Sequence, residues 1–364
     1  MAYLAYIVIV FTTIQLVVAL INFIFKQKMK VAKQSNKLVS ILIPARNEEK
    51  NIANILRDVL TQNHRNFEIL VFDDQSTDRT PEIISSFVEN RNNVRLIQSE
   101  GLPNGWLGKN YACHSLALEA KGDYLLFIDA DVRIKKNMIK KSLRFSDKNN
   151  IDLLSVFPKQ IINSWGEYAT IPIMNYILLT LLPLILVKKT RLSSIVAANG
   201  QYMFFETKNY MSYLPHNVMK TDKVEDIKIA RYYKKKNLKV ACLASESEVR
   251  CHMYDSYGES VNGFAKNVTA FFGGSTLVAI LFWAFTTLGF IPVFIIYSAK
   301  GLAIYVTAVL ITHILVSIMS MQSVSRNIIY FLPQQLSLGF IIIKSIKSKL
   351  TKRHIWKGRN VLQS

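Results

Sequence analysis

Two continuous apolar runs of strand length end abruptly in carboxylates, and this combination constrains the fold more than any other feature of the chain. The first is FEILVFDD, closing on Asp73 and Asp74; the second is YLLFIDAD, closing on Asp129 and Asp131. A helical pattern follows each run, so the acids fall at the carboxyl ends of strands, where open α/β sheets bind their ligands. Two carboxylates one residue apart, as in Asp129 and Asp131, suit a hard divalent cation that also grips a diphosphate.

The runs belong to a longer alternation. Val39–Pro44, Phe67–Asp73, Val94–Gln98 and Tyr124–Asp129 read as strands. The patterns at 47–62, 78–88 and 110–120 read as the helices between them. Strands alternating with helices predict a mostly parallel sheet covered on both faces. Past Ile151 the period is less regular. LLSVFPK and Lys239–Ala244 read as further strands, and TDKVEDIKIARYYKKKN is the clearest helix. The sequence places no element firmly between Trp165 and Tyr213 and shows neither an internal repeat nor a low-complexity linker.

Apolar stretches flank this α/β segment. Residues 2–25 are uncharged and long enough to cross a hydrocarbon core of roughly 30 Å. No charged leader or small-residue cleavage site accompanies them, so they read as a retained anchor. The basic stretch Lys26–Lys37 then places the following residues in the cytoplasm. Two more spans are predicted at Ser275–Ser298 and Leu302–Gln322. Ile328–Ile346 is apolar but contains Pro333, Gln334 and Gln335, and reads as a re-entrant or surface-lying segment. Ile171–Val187, with Pro172 and Pro183, reads as an interfacial helix. The expected organisation is an anchor at 1–25, a catalytic domain at 38–270, membrane segments at 275–346 and a basic cytoplasmic tail at 347–364. The net charge of +20 suits a chain lying against anionic lipid. No nucleic-acid-binding signature is present. Cys113, Cys242 and Cys251 lack metal-site spacing and read as reduced structural thiols.

Taken together, ILIPARNEE, VFDDQSTD, FIDADV and VED, in this order and spacing, resemble the inverting family 2 glycosyltransferases over roughly 38–267. The resemblance implies a GT-A fold, the Rossmann-like α/β domain of nucleotide-diphospho-sugar transferases. It implies that Pro44, Ala45 and Glu48 line a nucleotide pocket and that Asp74 accepts the imide N–H of uracil. It implies that Asp129 approaches the ribose and diphosphate, that Asp131 holds Mg²⁺ or Mn²⁺, and that Lys109 adds a second positive charge. Asp226 is then the general base, and a single base with in-line attack implies inversion. Read from the residues alone, Asp78 caps the helix after it, Glu225 lies at the surface or one layer behind the site, and His252 is an ordinary histidine. Asn199–Gly200–Gln201 is a candidate for the acceptor side.

The acceptor is expected to be lipid-soluble, because the α/β segment is bounded by apolar spans. The Q-x-x-R-W signature of polymerising relatives is missing from RCHMYDSYGESVNGFAKN, which favours transfer of one sugar. PARNEEK, GWLGKNYAC, NGFAKN and WKGR resemble the bacterial carotenoid glycosyltransferases of the staphyloxanthin route. That likeness implies a UDP-sugar donor, with glucose passed to the carboxyl of a C30 carotenoid acid. A carboxylate needs no general base, so an intact VED equally suits a hydroxyl lipid such as diacylglycerol. Two readings without catalysis stay open, a nucleotide-sugar binder and a transport component. The late spans hold only His313 and Lys300 as charge candidates, little for a substrate pathway.

Overall fold

The computed structural model describes residues 1–31, 35–89, 91–351, 355–356 and 359–360. Half of the basic tail expected at 347–364, including Lys352, Arg353 and Lys357, lies outside them, as does Lys33 of the basic stretch. The described residues form two compact units interleaved in sequence. One comprises Met1–Lys26, Gln160–Pro183 and His252–His354; the other comprises Gln27–Lys159, Leu184–Cys251 and Ile355–Ser364.

The second unit is built on a sheet of eight strands: β1 (Val39–Ala45), β2 (Phe67–Asp73), β3 (Val94–Gln98), β4 (Tyr124–Ile128), β5 (Val132–Ile134), β6 (Leu153–Gln160), β7 (Tyr202–Glu206) and β8 (Val240–Cys251). Their order is β3-β2-β1-β4-β7-β6-β8-β5. The first four pair in parallel, with Ala45 opposite Asp73 and Leu42 opposite Phe127. This register brings the ends of β1, β2 and β4 to one edge of the sheet. The apolar runs behave as expected of strands buried on both faces: Ile41, Leu42, Ile43, Leu70, Val71, Leu125 and Leu126 are fully buried.

The expectation of a mostly parallel sheet fails beyond β4. β7 runs antiparallel to β4 and β6, and β5 antiparallel to β8. A parallel neighbour needs a crossover that returns the chain to the starting end of the sheet. The loop feeding β7 is already at the far end of β4, where the Asp129 N–H donates to the Gln201 carbonyl at 3.3 Å. The strand therefore runs back. β5 and β7 both escaped the sequence reading, β5 because three residues show no period. The helix read at 47–62 begins only at Ile52, because Asn47 takes a left-handed backbone (φ 52°) and residues 48–51 form a turn.

The first unit is helical. Its helices include Ala2–Ile24, Ile171–Leu181, Thr276–Leu288, Phe290–Met319 and Phe331–Thr351. Among the described residues, Ala2–Ile24 and Thr276–Met319 are long and apolar enough to cross a bilayer by length and composition. The second stretch breaks at Ser298, whose φ of 56° is not helical, where the sequence separates two spans. Val293 and Tyr305, on either side of the break, both pack on Val8 of the first helix. Ile171–Val187 does not lie at an interface. Residues 171–180 are buried on every side, as a helix apolar all round must be, and Asn22 donates to the Leu179 and Leu182 carbonyls at 2.9 Å each. Pro333 does not interrupt its segment either. It sits in the first turn of Phe331–Thr351, where a missing N–H is tolerated.

One close approach fixes the β1–β4 alignment. Gly122 donates its N–H to Ser40 Oγ at 2.8 Å, and a Cβ there would lie 2.6 Å from the Ser40 backbone nitrogen. Gly122→Ala must separate two backbones, so it should destabilise the sheet unit by about 2–4 kcal/mol, read by denaturant unfolding against wild type. A loss below about 0.5 kcal/mol would show the approach to be slack.

Candidate active site

The carboxyl edge of β1, β2 and β4 carries the acids that the sequence singled out. Asp73 closes β2 and is spent on its own turn, accepting from the Ser76 N–H and hydroxyl. Asp74 is buried, pairs with Arg46 at 3.8 Å, and its N–H donates to the Ala45 carbonyl at 2.9 Å. Arg46 also donates to the carbonyls of Asp74 and Gln75. This arginine was not singled out in the sequence, although a cation directly after a strand end is a visible signal. Pro44 and Ala45 form the last residues of β1. Glu48 follows in the turn, where its carboxylate accepts from Asn51 at 2.9 Å. Asp78 accepts from the N–H and hydroxyl of Thr80, the first residue of helix Thr80–Val88, as its capping reading required.

Asp129 and Asp131 follow β4 in a tight turn closed by the Val132 N–H onto the Asp129 carbonyl at 3.1 Å. The two are used differently. Asp129 binds Lys109 Nζ through both oxygens, at 2.8 and 2.9 Å. Asp131 keeps one oxygen, Oδ1, buried and without a hydrogen-bond partner. Burial above all, and then the charges of Asp129 and Glu48, push its carboxyl up to about 7. A buried carboxylate oxygen left unpaired among other acids is costly, and a cation is what such a site fits. Among the described residues no three metal-ligating side chains converge on one point. An ion at Asp131 would therefore take most of its shell from outside the protein, as ions bound with phosphates do. Behind Asp131 stands Cys251, whose Sγ accepts from Gln201 Nε2 at 2.9 Å. No local sequence signal marks it, since the contact arises from the pairing of Val132 with Cys251 across β5 and β8.

Lys109 reaches this edge because of Asn110. That buried side chain donates to the carbonyls of Met219, Lys220 and Asp222, at 2.7, 3.3 and 2.9 Å. The start of helix Gly108–Glu119 is thereby tied to the loop that opens helix Glu225–Lys235. Lys109 Nζ then lies 3.6 Å from Glu225 as well. Burial opposes the ammonium, but the charges of Asp129 and Glu225 outweigh it and hold its pKa well above the ordinary lysine value.

Asp226 is fixed by backbone. One oxygen accepts from the Gly200 N–H at 2.9 Å and the other from the Ile227 N–H at 2.7 Å. Burial raises its pKa despite these hydrogen bonds and Lys109. Glu225, expected at the surface or one layer behind the site, is buried, and burial followed by the Asp226 and Asp129 charges raises it to about 7 against the pull of Lys109. Loop 199–201 joins the two halves: Gly200 holds Asp226 while the Gln201 carbonyl holds the Asp129 N–H. Six of the eight expected residues, Ala45, Glu48, Asp74, Asp129, Asp131 and Pro44, thus share the edge of the parallel strands. Lys109 and Asp226 join from two helices.

Residues 40–207 match the family model Glycosyl transferase family 2. The 4,4′-diaponeurosporenoate glycosyltransferase of Staphylococcus haemolyticus is 31% identical over 139 residues, covering 38% of this chain and only 36% of that protein. Its namesake from Staphylococcus aureus is 24% identical over 266 residues, 71% of this chain and 68% of that one. A mannosyltransferase of Pyrobaculum calidifontis, PcManGT, solved with GDP-Man and Mn²⁺, superposes with a TM-score of 0.57 at 14% identity, over 95% of this chain and 99% of its own. The fold is accordingly the mixed α/β GT-A fold.

Two outcomes are expected of the site itself. Asp131 ionises in the folded chain only near 7 but at ordinary carboxylate pH when unfolded, so stability falls as pH rises through that interval. With chelator present, Asp131→Asn should melt about 2–4 °C above wild type at pH 8, and the gap should close towards pH 4. An equal gap at both pH values would contradict the assignment. A Cβ on Gly200 would sit 3.3 Å from both Glu225 Oε1 and Lys109 Nζ. Gly200→Ala should therefore cut turnover roughly tenfold with a melting point within about 2 °C of wild type.

Proposed function

We propose that this chain is a metal-dependent, inverting hexosyltransferase of the cell membrane. It moves one glucose from UDP-glucose to a lipid-soluble acceptor, first of all the carboxyl of the C30 carotenoid acid 4,4′-diaponeurosporenoate. The observation that carries the transferase reading is the unpartnered Asp131 oxygen at the β4 edge, with Lys109 between it and the backbone-fixed Asp226. The carotenoid acceptor is supported by the names of the staphylococcal relatives.

In this reading Pro44, Ala45 and Glu48 line the nucleotide pocket and Asp74 receives the uracil imide N–H. Asp129 faces the ribose and diphosphate. Asp131, with Asp129, would hold Mg²⁺ or Mn²⁺, which when bound supplies Lewis-acid neutralisation of the departing diphosphate. Lys109 adds a protein cation to the same charge. The acceptor oxygen forms a bond to the anomeric carbon as the carbon–phosphate-oxygen bond breaks, and that electron pair leaves with UDP. A hydroxyl acceptor gives its proton to Asp226, a contribution of about 10²–10⁴-fold. A carboxylate acceptor arrives without one. Attack opposite the leaving group turns an α-linked donor into a β-linked product.

A second acceptor class, a hydroxyl lipid such as diacylglycerol, is favoured by one specific observation. Asp226 lies beside Lys109 with both oxygens fixed by backbone N–H groups and its pKa raised by burial, a proton acceptor that a carboxylate acceptor, already deprotonated, has no use for. The membrane setting is supported by the two long apolar helices. Lys26, Lys28 and Lys30 directly after the first support a multi-pass chain with its catalytic domain on the cytoplasmic side.

Membranes containing the protein, incubated with UDP-[¹⁴C]glucose and Mn²⁺, should label a lipid extract. Label in a pigmented lipid, only in carotenoid-producing cells and released by mild alkali, marks the carboxyl ester. Alkali-stable label in both cell types marks a hydroxyl acceptor. Asp131→Asn should lose nearly all label in either case, and Asp226→Asn about 10²-fold or more for a hydroxyl acceptor alone. Unlabelled lipid with a folded protein would leave only a nucleotide-sugar binder or transport component.

A further inference from the structure

Glu225 has no role in the transfer as described, yet it is buried at the centre of the charge cluster. It lies 3.6 Å from Lys109 and is covered by bare backbone, since Gly200 offers no side chain and even a Cβ there would be 3.3 Å from Glu225 Oε1. The groups facing it are few. Lys109 and the neutral thiol of Cys113 come from helix Gly108–Glu119, and Asp129 comes from the end of β4. Asp226 precedes Ile227 on its own helix, and His216, which burial keeps neutral, lies in the short helix Pro215–Val218 beside Lys109. Lys109 thus acts on three carboxylates.

We infer that Glu225 is a positioning residue that holds Lys109 at the boundary between Asp129 and Asp226, so that the ammonium faces the bond being broken. The inference rests on the transfer reading above and adds a residue to it. Lys109 already touches both oxygens of Asp129 at 2.8 and 2.9 Å. With no counterweight it would settle on that carboxylate alone, on the nucleotide side. Glu225, at the opening of the helix that carries Asp226, draws it the other way. The diphosphate is already anionic in bound substrate and gains further charge on its leaving oxygen as the bond breaks, so an ammonium held towards that oxygen acts on kcat more than on binding. The isosteric amide of Glu225→Gln removes the pull while keeping the packing.

The test uses the full-length purified protein with UDP-glucose and Mn²⁺, reading UDP release with lipid extract as acceptor and UDP binding by calorimetry. Glu225→Gln should lower kcat about tenfold, with KM for UDP-glucose and the UDP Kd within about twofold of wild type. Glu225→Asp, which restores the charge on a shorter arm, should recover part of the loss. Wild-type kcat in Glu225→Gln would overturn the inference. So would a parallel loss of UDP binding, or an aspartate variant no better than the amide, since both would mark a merely structural glutamate. A wild-type protein that binds UDP but releases none from UDP-glucose would instead overturn the transfer reading beneath it.

Discussion

The site depends on one half-buried ammonium. Lys109 is shared by Asp129 and Glu225, and its charge also acts on Asp226, so it offsets the repulsion among three neighbouring carboxylates. In a medium of low dielectric, like charges within a few ångströms repel strongly, and breaking such a group by removing its cation leaves the acids uncompensated. The surrounding architecture serves that arrangement. The parallel register of β1, β2 and β4 sets the height of Asp129, and Asn110 ties the helix of Lys109 to the loop before Glu225. Gly200 lets the backbone approach where any side chain would intrude.

The chemistry of the site follows from an asymmetry between two aspartates only one residue apart. Asp129 is neutralised from within by Lys109, whereas Asp131 retains a buried oxygen with nothing to bind. A fold spends stability on such a group when an external partner is meant to complete it. The same division separates donor from acceptor chemistry. In the proposed transfer Asp131 would face a metal and phosphate, while Asp226, held by two backbone N–H groups, would face the incoming nucleophile.

The strands of the parallel half were legible because each is a continuous apolar run ending in an acid or a turn residue. β2, read as Phe67–Asp73, has those bounds in the structure. β7 was not legible. Tyr202–Glu206 is apolar enough to be a strand, but it is only five residues long, and its direction depends on a loop contact with Asp129 distant in sequence. The same limit applies to function. DAD and VED are local patterns and stood out, whereas the burial of Glu225 and the contact of Gln201 with Cys251 exist only after distant segments meet. Ile171–Leu181 was misread because hydropathy alone does not distinguish burial in protein from burial in lipid.

The interleaving of the two units also bears on how the chain is made. The first helix is made about 150 residues before Ile171–Leu181 and about 270 before Phe290–Met319. At the usual pace of synthesis that helix spends tens of seconds without the partners that cover Val8 and Asn22. Its polar residues must meanwhile be accommodated by lipid, water or a chaperone. A chain halted after β4 would hold all four parallel strands but none of the later helices that cover the first one.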